Sequence, residues 1–425
     1  ALAAASTPVL VGGLSPTAFS LAESLLEPVG LDLLQAGGGG SKRTAAAEPG
    51  RYVDGGVLTV QLVRGDVSAS GLGTVTHVQG NKLIAFGHPM LNGGVENLPT
   101  ALGTVHWVLA TQNRSFKIGE PTQPLGALVN DRQASVVVDT SRNAPTFPIR
   151  VTIDGVPGAP QPVWNMEVAH DQFLAPNFTA VAIGSALETT TAERSDMTYR
   201  AKSRIRVAGR GAIEVLDFGA GNQRPIGPSH FGRSRLTEAI GALLNNPWEH
   251  VAIEGVDTAV RITHRREVLK LRGAQVLDGE LDPGEPARIR LTLRRYLGKT
   301  ETRVIEVPLP PSLAGETVEI RLKPGHKEER IQPAPESVAE LLHMLPRQYF
   351  DPETVVVSYK LPEASATYRG RVASRLPVGA ADTLRPGTDS VAPEVFQATR
   401  KIAFPLGAFM TGEDTVRVAI RHVMR

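Results

Sequence analysis

The stretch that decides the fold is GLGTVTHV at residues 71–78, a short turn at 79–81, and KLIAFGHP at 82–89. The pattern of the two runs is typical of antiparallel strands joined by a tight turn. His88 directly follows the second strand, and Gly87 before it permits a sharp turn of the backbone. The segment therefore predicts a β-hairpin that presents one histidine at the end of a rigid strand.

Short strands are expected on both sides of this hairpin. VLTVQLV at residues 57–63 alternates in the same way, and glycine-bounded apolar segments follow at 102–110, 126–129 and 134–139. Many short strands with frequent turn residues are typical of a barrel or sandwich rather than of βαβ units. We therefore predict a β-barrel region over residues 51–195.

Residues 1–50 have a different pattern. A short apolar run precedes Ser15 and Pro16, which are a favourable helix N-cap and first helical residue. Apolar residues then recur at helical spacing until Gly30, so we predict a small strand–helix–strand element of α/β type. The four glycines at 37–40 lack the strand–turn–helix context of a phosphate-binding loop and indicate a linker.

Two further regions follow the barrel. Residues 196–326 contain alternating segments that predict a β-sandwich, interrupted by an amphipathic helix at 235–245. The pattern fits an immunoglobulin-like sandwich, and other sandwiches share it. Residues 327–425 contain one clear helix, at 337–345, within a proline-rich extension. The predicted fold is therefore mainly β, with a barrel, a sandwich and a small N-terminal α/β element.

Composition excludes several classes of function. The 45 basic and 43 acidic residues alternate along most of the chain, which argues against a nucleic-acid partner. There is no cysteine, and so no disulfide, thiolate metal site or cysteine nucleophile. No apolar run reaches the roughly 18–20 residues that a transmembrane helix needs. Since the chain begins at Ala1, we expect that an upstream segment was removed, by signal cleavage, by proteolysis or in preparation.

The histidines give no convincing metal site. His77, His88 and His106 could meet on adjacent strands, but no motif such as His-Glu-x-x-His provides a ligand spacing. The Gly-x-Ser-x-Gly motif of α/β-hydrolases is also absent. We therefore predict neither a metal ion nor a cofactor.

Four elements in order resemble the SpoIVB-type family of sporulation serine peptidases. The strand–turn–strand segment at 71–88 ends in Ala-Phe-Gly-His and is similar to the family's histidine segment. Val-Arg-Gly-Asp at 63–66 precedes it as in long exported members, and Ser-Phe-Lys at 115–117 and Gly-x-Leu-x-x-Asp-Arg at 126–132 follow it. The resemblance covers about residues 8–250.

The resemblance implies a chymotrypsin-like double barrel, a Ser/His/Asp mechanism and an exported bacterial protein. His88 would be the general base that takes the serine proton and later gives it to the leaving amine. Asp131, beside Arg132, is the candidate for the carboxylate that orients His88. The alternative interpretation of Asp131 is a structural salt bridge or a turn residue.

The sequence differs from the family at the nucleophile. The family's Ser-Gly-Ser-Pro element does not occur in this sequence, and Ser185 in Gly-Ser-Ala is the best substitute. A helix cap or turn is the more ordinary interpretation of Ser185. Without a nucleophile the base has nothing to activate, so we expect this chain alone to be inactive.

Two hypotheses about function therefore stay open. In the first, the chain is part of an exported serine endopeptidase that cleaves proteins or peptides, its own precursor among them. Its partner is then its own N-terminal fragment, which bears the serine. In the second, the chain is a catalytically inactive, protease-derived binding or structural module at the cell surface. A Ser-Gly-Ser-Pro segment encoded upstream would separate the two hypotheses.

Overall fold

The computed structural model describes residues 7–35, 50–110, 116–191, 195–221, 232–368, 371–376 and 394–422. The protein is mainly β and has several sheets, as the sequence predicts. The chain forms two compact units, Ala1–His264 and Arg265–Arg425. None of the helices in the described ranges is both long and apolar enough to cross a bilayer.

The first unit combines helices with a large sheet. Its described helices are α1 (Pro16–Leu26), α2 (Leu174–Thr191) and α3 (Arg235–Leu244). Its strands are β1 (Thr7–Gly12), β2 (Leu31–Gln35), β3 (Val57–Gly65), β4 (Ser68–Gln79), β5 (Lys82–Ala85), β6 (Gly94–Leu109), β7 (Phe116–Arg132), β8 (Ser135–Asp139), β9 (Thr146–Asp154), β10 (Val163–Ala169), β11 (Met197–Val207), β12 (Gly211–Gly221) and β13 (Ile253–Thr263).

Six of these strands close into a ring. β3 pairs with both β4 and β6, and the ring order is β3-β6-β7-β8-β5-β4, with every pair antiparallel. The predicted hairpin is present as β4 and β5. Each strand of the ring contributes buried apolar side chains, such as Leu58, Val75, Leu83, Leu98, Leu128 and Val138. Closure leaves these strands without the free edges of an open sheet.

Further strands extend the sheet from β3 and β4. β10 pairs with the end of β3 and is followed by β9, β13, β11 and β12, while β1 pairs with the start of β4 and is followed by β2. Helix α2 packs on β3, β9 and β10, with α1 and α3 against it. The predicted N-cap of α1 is confirmed, since the Ser15 hydroxyl accepts the Ala18 N–H.

The boundaries of the predicted regions do not coincide with those of the two units. Met197–Val207 pairs with β13, and β13 pairs in parallel with β9, so one sheet continues across residues 195 and 196. Strand β1, from the predicted element at 1–50, pairs with barrel strand β4. The local sequence pattern does not show which distant strands pair, because each partner alternates in the same way.

The second unit contains two sheets that share one hydrophobic core. Its elements are β14 (Val268–Val276), β15 (Glu280–Leu281), β16 (Ala287–Arg295), β17 (Thr300–Val307), β18 (Thr317–Pro324), α4 (Val338–Met344), β19 (Thr354–Tyr368), β20 (Arg371–Leu376), β21 (Glu394–Pro405), β22 (Phe409–Thr411) and β23 (Asp414–Ile420). The four-stranded sheet has the order β17-β16-β14-β22. The six-stranded sheet has the order β15-β23-β18-β19-β20, with β21 also paired to β19.

The core of this unit differs from the predicted sandwich at 196–326 in its extent. Leu271 and Leu291 from the four-stranded sheet pack in one cluster with Ile320, Val357 and Val418 from the six-stranded sheet. The cluster therefore includes strands from the region predicted as a proline-rich extension. That region's predicted helix is present as α4, beginning after residue 337.

A buried polar cluster joins α2 to the loop before α1. The Ser185 hydroxyl donates to the Gly13 carbonyl (2.9 Å) and accepts the Ser15 N–H (2.8 Å). One turn further along α2, Glu188 accepts the hydroxyls of Ser15 (2.6 Å) and Thr17 (2.8 Å). Ser185 thus lies inside a helix and holds a loop, and the interpretation as a cap or turn serine is wrong.

We expect Ser185→Ala to lower the free energy of unfolding of the first unit by about 1–3 kcal/mol, because the buried Ser15 N–H and the partly buried Gly13 carbonyl lose this partner. Trp107, Trp164 and Trp248, the three tryptophans of the chain, all lie in this unit. Urea unfolding followed by tryptophan fluorescence therefore reports on it. Ser24→Ala removes an exposed hydroxyl from α1 and is the control. Equal midpoints for the two variants would contradict the proposed contribution of Ser185.

Candidate functional site

The loop that carries His88 connects two strands that are not neighbours. It runs over residues 86–93 from β5 to β6, and β8 and β7 lie between these strands in the ring. The loop therefore spans three strand spacings, roughly 14 Å. Phe86 (φ 72°) and Asn92 (φ 57°) have left-handed backbone conformations, which cost roughly 1–2 kcal/mol per non-glycine residue. Such a loop needs partners that hold it in place.

Asp131 is the partner that holds the loop. It lies near the end of β7, opposite Gly94, and none of its surface is exposed. Its carboxylate accepts the backbone N–H groups of Met90 (2.7 Å), Leu91 (2.5 Å) and Asn92 (3.0 Å). Hydrogen bonds to an ionised acceptor are about twice as strong as neutral ones, and they make burial of the charge tolerable. Asp131 therefore positions the chain that follows the histidine.

The His88 ring makes its own hydrogen bond to the backbone. Its Nδ1 lies 2.7 Å from the Pro89 carbonyl oxygen. Because a carbonyl can only accept, Nδ1 carries the proton in the neutral ring and Nε2 is the free acceptor. The ring is half-buried and lies 5.7 Å from the Phe86 ring. This tautomer is the one that a general base requires.

The two residues singled out in the sequence thus belong to one loop but do not form the expected pair. The resemblance implies that Asp131 orients the His88 ring, whereas in the structure the Pro89 carbonyl takes the Nδ1 proton. The Asp131 carboxylate instead accepts hydrogen bonds from the backbone N–H groups of residues 90–92. It lies in β7 rather than in a turn, and none of the described residues forms a salt bridge with it.

Glu96 is a third residue of the site, and sequence reasoning missed it. It lies at the start of β6, half-buried, and its carboxylate packs against Gly93 of the loop. Burial, together with the nearby carboxylates of Asp171 and Asp131, raises the pKa of Glu96 to about 7. The sequence feature that marks Glu96 is the Gly93-Gly94 pair shortly before it at the start of a strand. This feature alone does not indicate that the carboxyl is buried.

Asp171 connects this group of acids to α2. Its carboxylate accepts the N–H groups of Phe173 (2.9 Å) and Leu174 (2.7 Å) at the start of the helix. The adjacent His170 accepts the N–H of Ile253 on Nε2 (3.1 Å), and burial lowers the pKa of His170. Asp171 is therefore fixed by the helix, and its charge acts on Glu96 from a fixed position.

His77 and His106 have partners of their own. His77 Nδ1 lies 3.0 Å from the Asp54 carboxylate, and His106 Nε2 lies 3.4 Å from the Glu120 carboxylate; both histidines are exposed. In the ranges that the structure describes, no group of three histidine, cysteine or acidic residues could hold a metal ion. The described histidines thus form no shared metal centre.

The chain has no match among family models, curated proteins or solved structures. The resemblance to the SpoIVB-type family therefore depends on the sequence elements quoted above. The chemistry of the site has to be inferred from the geometry around His88.

A pH series tests the buried carboxyl of Glu96. The folded-state pKa, about 7, lies above the usual 4.5, so the stability that this group contributes is present below about pH 4.5 and is lost as the pH rises through about 7. We expect Glu96→Gln to unfold at a higher urea concentration than wild type at pH 8 and to lose most of that advantage at pH 5. Tryptophan fluorescence measures both midpoints.

Glu254→Gln is the matched control for this series, since Glu254 is exposed on β13 of the same unit. It measures the effect of the same substitution at an exposed site of this unit. A Glu96→Gln effect that does not change between pH 5 and pH 8 would show that Glu96 is not a protonated, buried group.

Proposed function

We propose that this chain is part of an exported serine peptidase of the SpoIVB type and that His88 is its general base. The observation that carries the proposal is the hydrogen bond from His88 Nδ1 to the Pro89 carbonyl. It leaves Nε2 free to take the proton of a serine hydroxyl and then to give it to the leaving amine. The reaction is hydrolysis of a peptide bond.

The ring of strands supports a chymotrypsin-like barrel in this proposal. β3, β4 and β5 are neighbours in sequence order, and β8, β7 and β6 follow in reverse order before the ring closes on β3. Chymotrypsin-like barrels have this order of antiparallel strands.

Asp131 has the role of a positioning residue in the proposed mechanism. It holds residues 90–92 and so keeps the turn of His88 in place. When His88 takes the serine proton its ring becomes a cation, which gives the proton back in the second half of the step. The backbone carbonyl of Pro89 orients the ring throughout the cycle.

The nucleophile in this proposal belongs to a Ser-Gly-Ser-Pro segment outside these 425 residues. Ser185 is unsuitable because it is completely buried in α2 and its hydroxyl is occupied by residues 13 and 15. The segment would be the N-terminal fragment of the same precursor, released by the peptidase itself. The assembled enzyme would act on proteins or peptides in the periplasm, at the cell surface or outside a bacterial cell.

The alternative is a catalytically inactive, protease-derived module that has a binding or structural role at the cell surface. The observation that favours it is the absence of a Ser-Gly-Ser-Pro element from the sequence. Under this alternative the His88 loop has a structural role only, and no serine is recruited to it.

Reconstitution with a serine-bearing segment tests the proposal. The chain is produced together with its encoded upstream segment, and hydrolysis of fluorescein-labelled casein is measured. We expect His88→Gln to lower the rate by about 10²- to 10⁴-fold, because the serine loses its general base. His77→Gln, which changes an exposed histidine of β4, should keep the wild-type rate.

A fluorophosphonate probe gives the second readout. It should label the serine of the reconstituted wild type and label the His88→Gln variant far more slowly. Equal labelling of the two would overturn the role of His88. A precursor that shows neither hydrolysis nor labelling would favour the non-catalytic module.

A further inference from the structure

The six-stranded sheet of the second unit opens between β18 and β19. The two strands pair over four residues, and the last pair is Arg321 with Ser358. The same register would set Thr317 opposite Pro362, but the pairing stops before that point. On its other side β18 stays paired with β23 as far as Thr317. The backbone of β18 is therefore still extended where β19 has separated from it.

Pro362 gives a physical reason for this opening. Residues of an antiparallel strand face its two neighbours alternately. The Glu316 carbonyl accepts the Ile420 N–H of the β23 side (3.0 Å), so Thr317 and Glu319 face the β19 side. Proline has no N–H and cannot donate to the carbonyl of Thr317. The ladder ends, and the backbone groups of two β18 residues face the space between the strands.

This space is a cavity of about 580 Å³, within the range of roughly 300–1,000 Å³ that is common for ligand pockets. Three residues of the lining, Leu313, Val318 and Tyr359, belong to the hydrophobic core. Polar side chains line the rest, among them Lys360 of β19 and Gln397 and Thr399 of β21. The cavity thus has a small apolar part and a larger polar part.

The charged side chains that line the cavity are balanced, with Glu316 and Glu319 against Arg321 and Lys360. The Glu319 carboxylate lies 3.1 Å from the guanidinium of Arg321 and 3.6 Å from that of Arg417. Glu316 and Lys360 add one charge of each sign to the lining. A ligand with a strong net charge gains little from such a lining, so the cavity favours an uncharged ligand.

We propose that this cavity binds an extended, uncharged peptide segment, which adds as a strand between β18 and β19. Thr317 and Glu319 of β18 supply main-chain hydrogen bonds on one side of the peptide. Lys360 of β19 supplies them on the other side, because its backbone faces β18 as that of Ser358, two residues before it, does. Because side chains of a strand alternate, every second ligand residue meets the apolar part near Val318. The proposal concerns the second unit and does not depend on the peptidase activity of the first.

Fluorescence anisotropy with the full chain tests the site. The probe is fluorescein-labelled acetyl-Thr-Val-Thr-Val-Thr amide, and its comparison is the same peptide with N-methyl groups on the two valines. We expect saturable binding of the probe. The N-methylated peptide keeps the side chains but lacks two backbone donors, so its affinity should be lower by about tenfold or more. Absence of saturable binding, or equal affinity of the two peptides, overturns the proposal.

Two further measurements locate the binding. Pro362→Val supplies the N–H that lets β18 and β19 pair further, so it should lower the affinity about tenfold, whereas Pro333→Val, at an exposed position of the same unit, should leave it unchanged. In the wild-type chain, bound peptide should slow amide hydrogen exchange at Glu319 and Lys360 and leave β14 unchanged. Protection elsewhere, or equal affinities of the two variants, places the peptide outside this cavity and overturns the proposal.

Discussion

The hydrogen bonds from three consecutive backbone N–H groups to Asp131 are the interaction on which the candidate site depends. The loop of residues 86–93 has to cross two strands of the barrel, and it includes non-glycine residues in the left-handed region. Each charge-assisted hydrogen bond contributes about 1.5–3 kcal/mol, enough to offset the roughly 1–2 kcal/mol that each such residue costs. The position of His88 is therefore set by β7, which is part of the rigid ring, rather than by the loop itself.

Rigidity of the ring is what makes this arrangement useful for chemistry. Asp131 lies in a closed barrel, so it presents its carboxylate at a fixed place, and the loop takes its shape from that place. The Pro89 carbonyl then selects the tautomer of His88, and the half-buried Glu96 adds a carboxyl whose charge depends on pH near neutrality. A carboxyl with a raised pKa against the loop of a candidate general base is typical of functional sites.

Local signals in the sequence were sufficient for some features and not for others. The β4–β5 hairpin and the N-cap at Ser15 follow from alternation, turn residues and capping chemistry within a few residues. Helix α2 has no such signal, because it is buried on nearly all sides and shows no polar face. The parallel pairing of β9 with β13 joins strands about a hundred residues apart, and no local pattern reports it.

The candidate site, too, could be predicted from sequence only in part. The place of His88 after a strand could be predicted from sequence, but the partners of Asp131 and the burial of Glu96 depend on where the loop lies in three dimensions. The most direct test of the central claim is the imidazole ¹⁵N spectrum of the histidine-labelled chain, recorded where the ring is neutral. We expect His88 to be protonated on Nδ1 in wild type and to lose this single tautomer in Asp131→Ala, where the loop is released. A His88 ring protonated on Nε2 in wild type would contradict the claim.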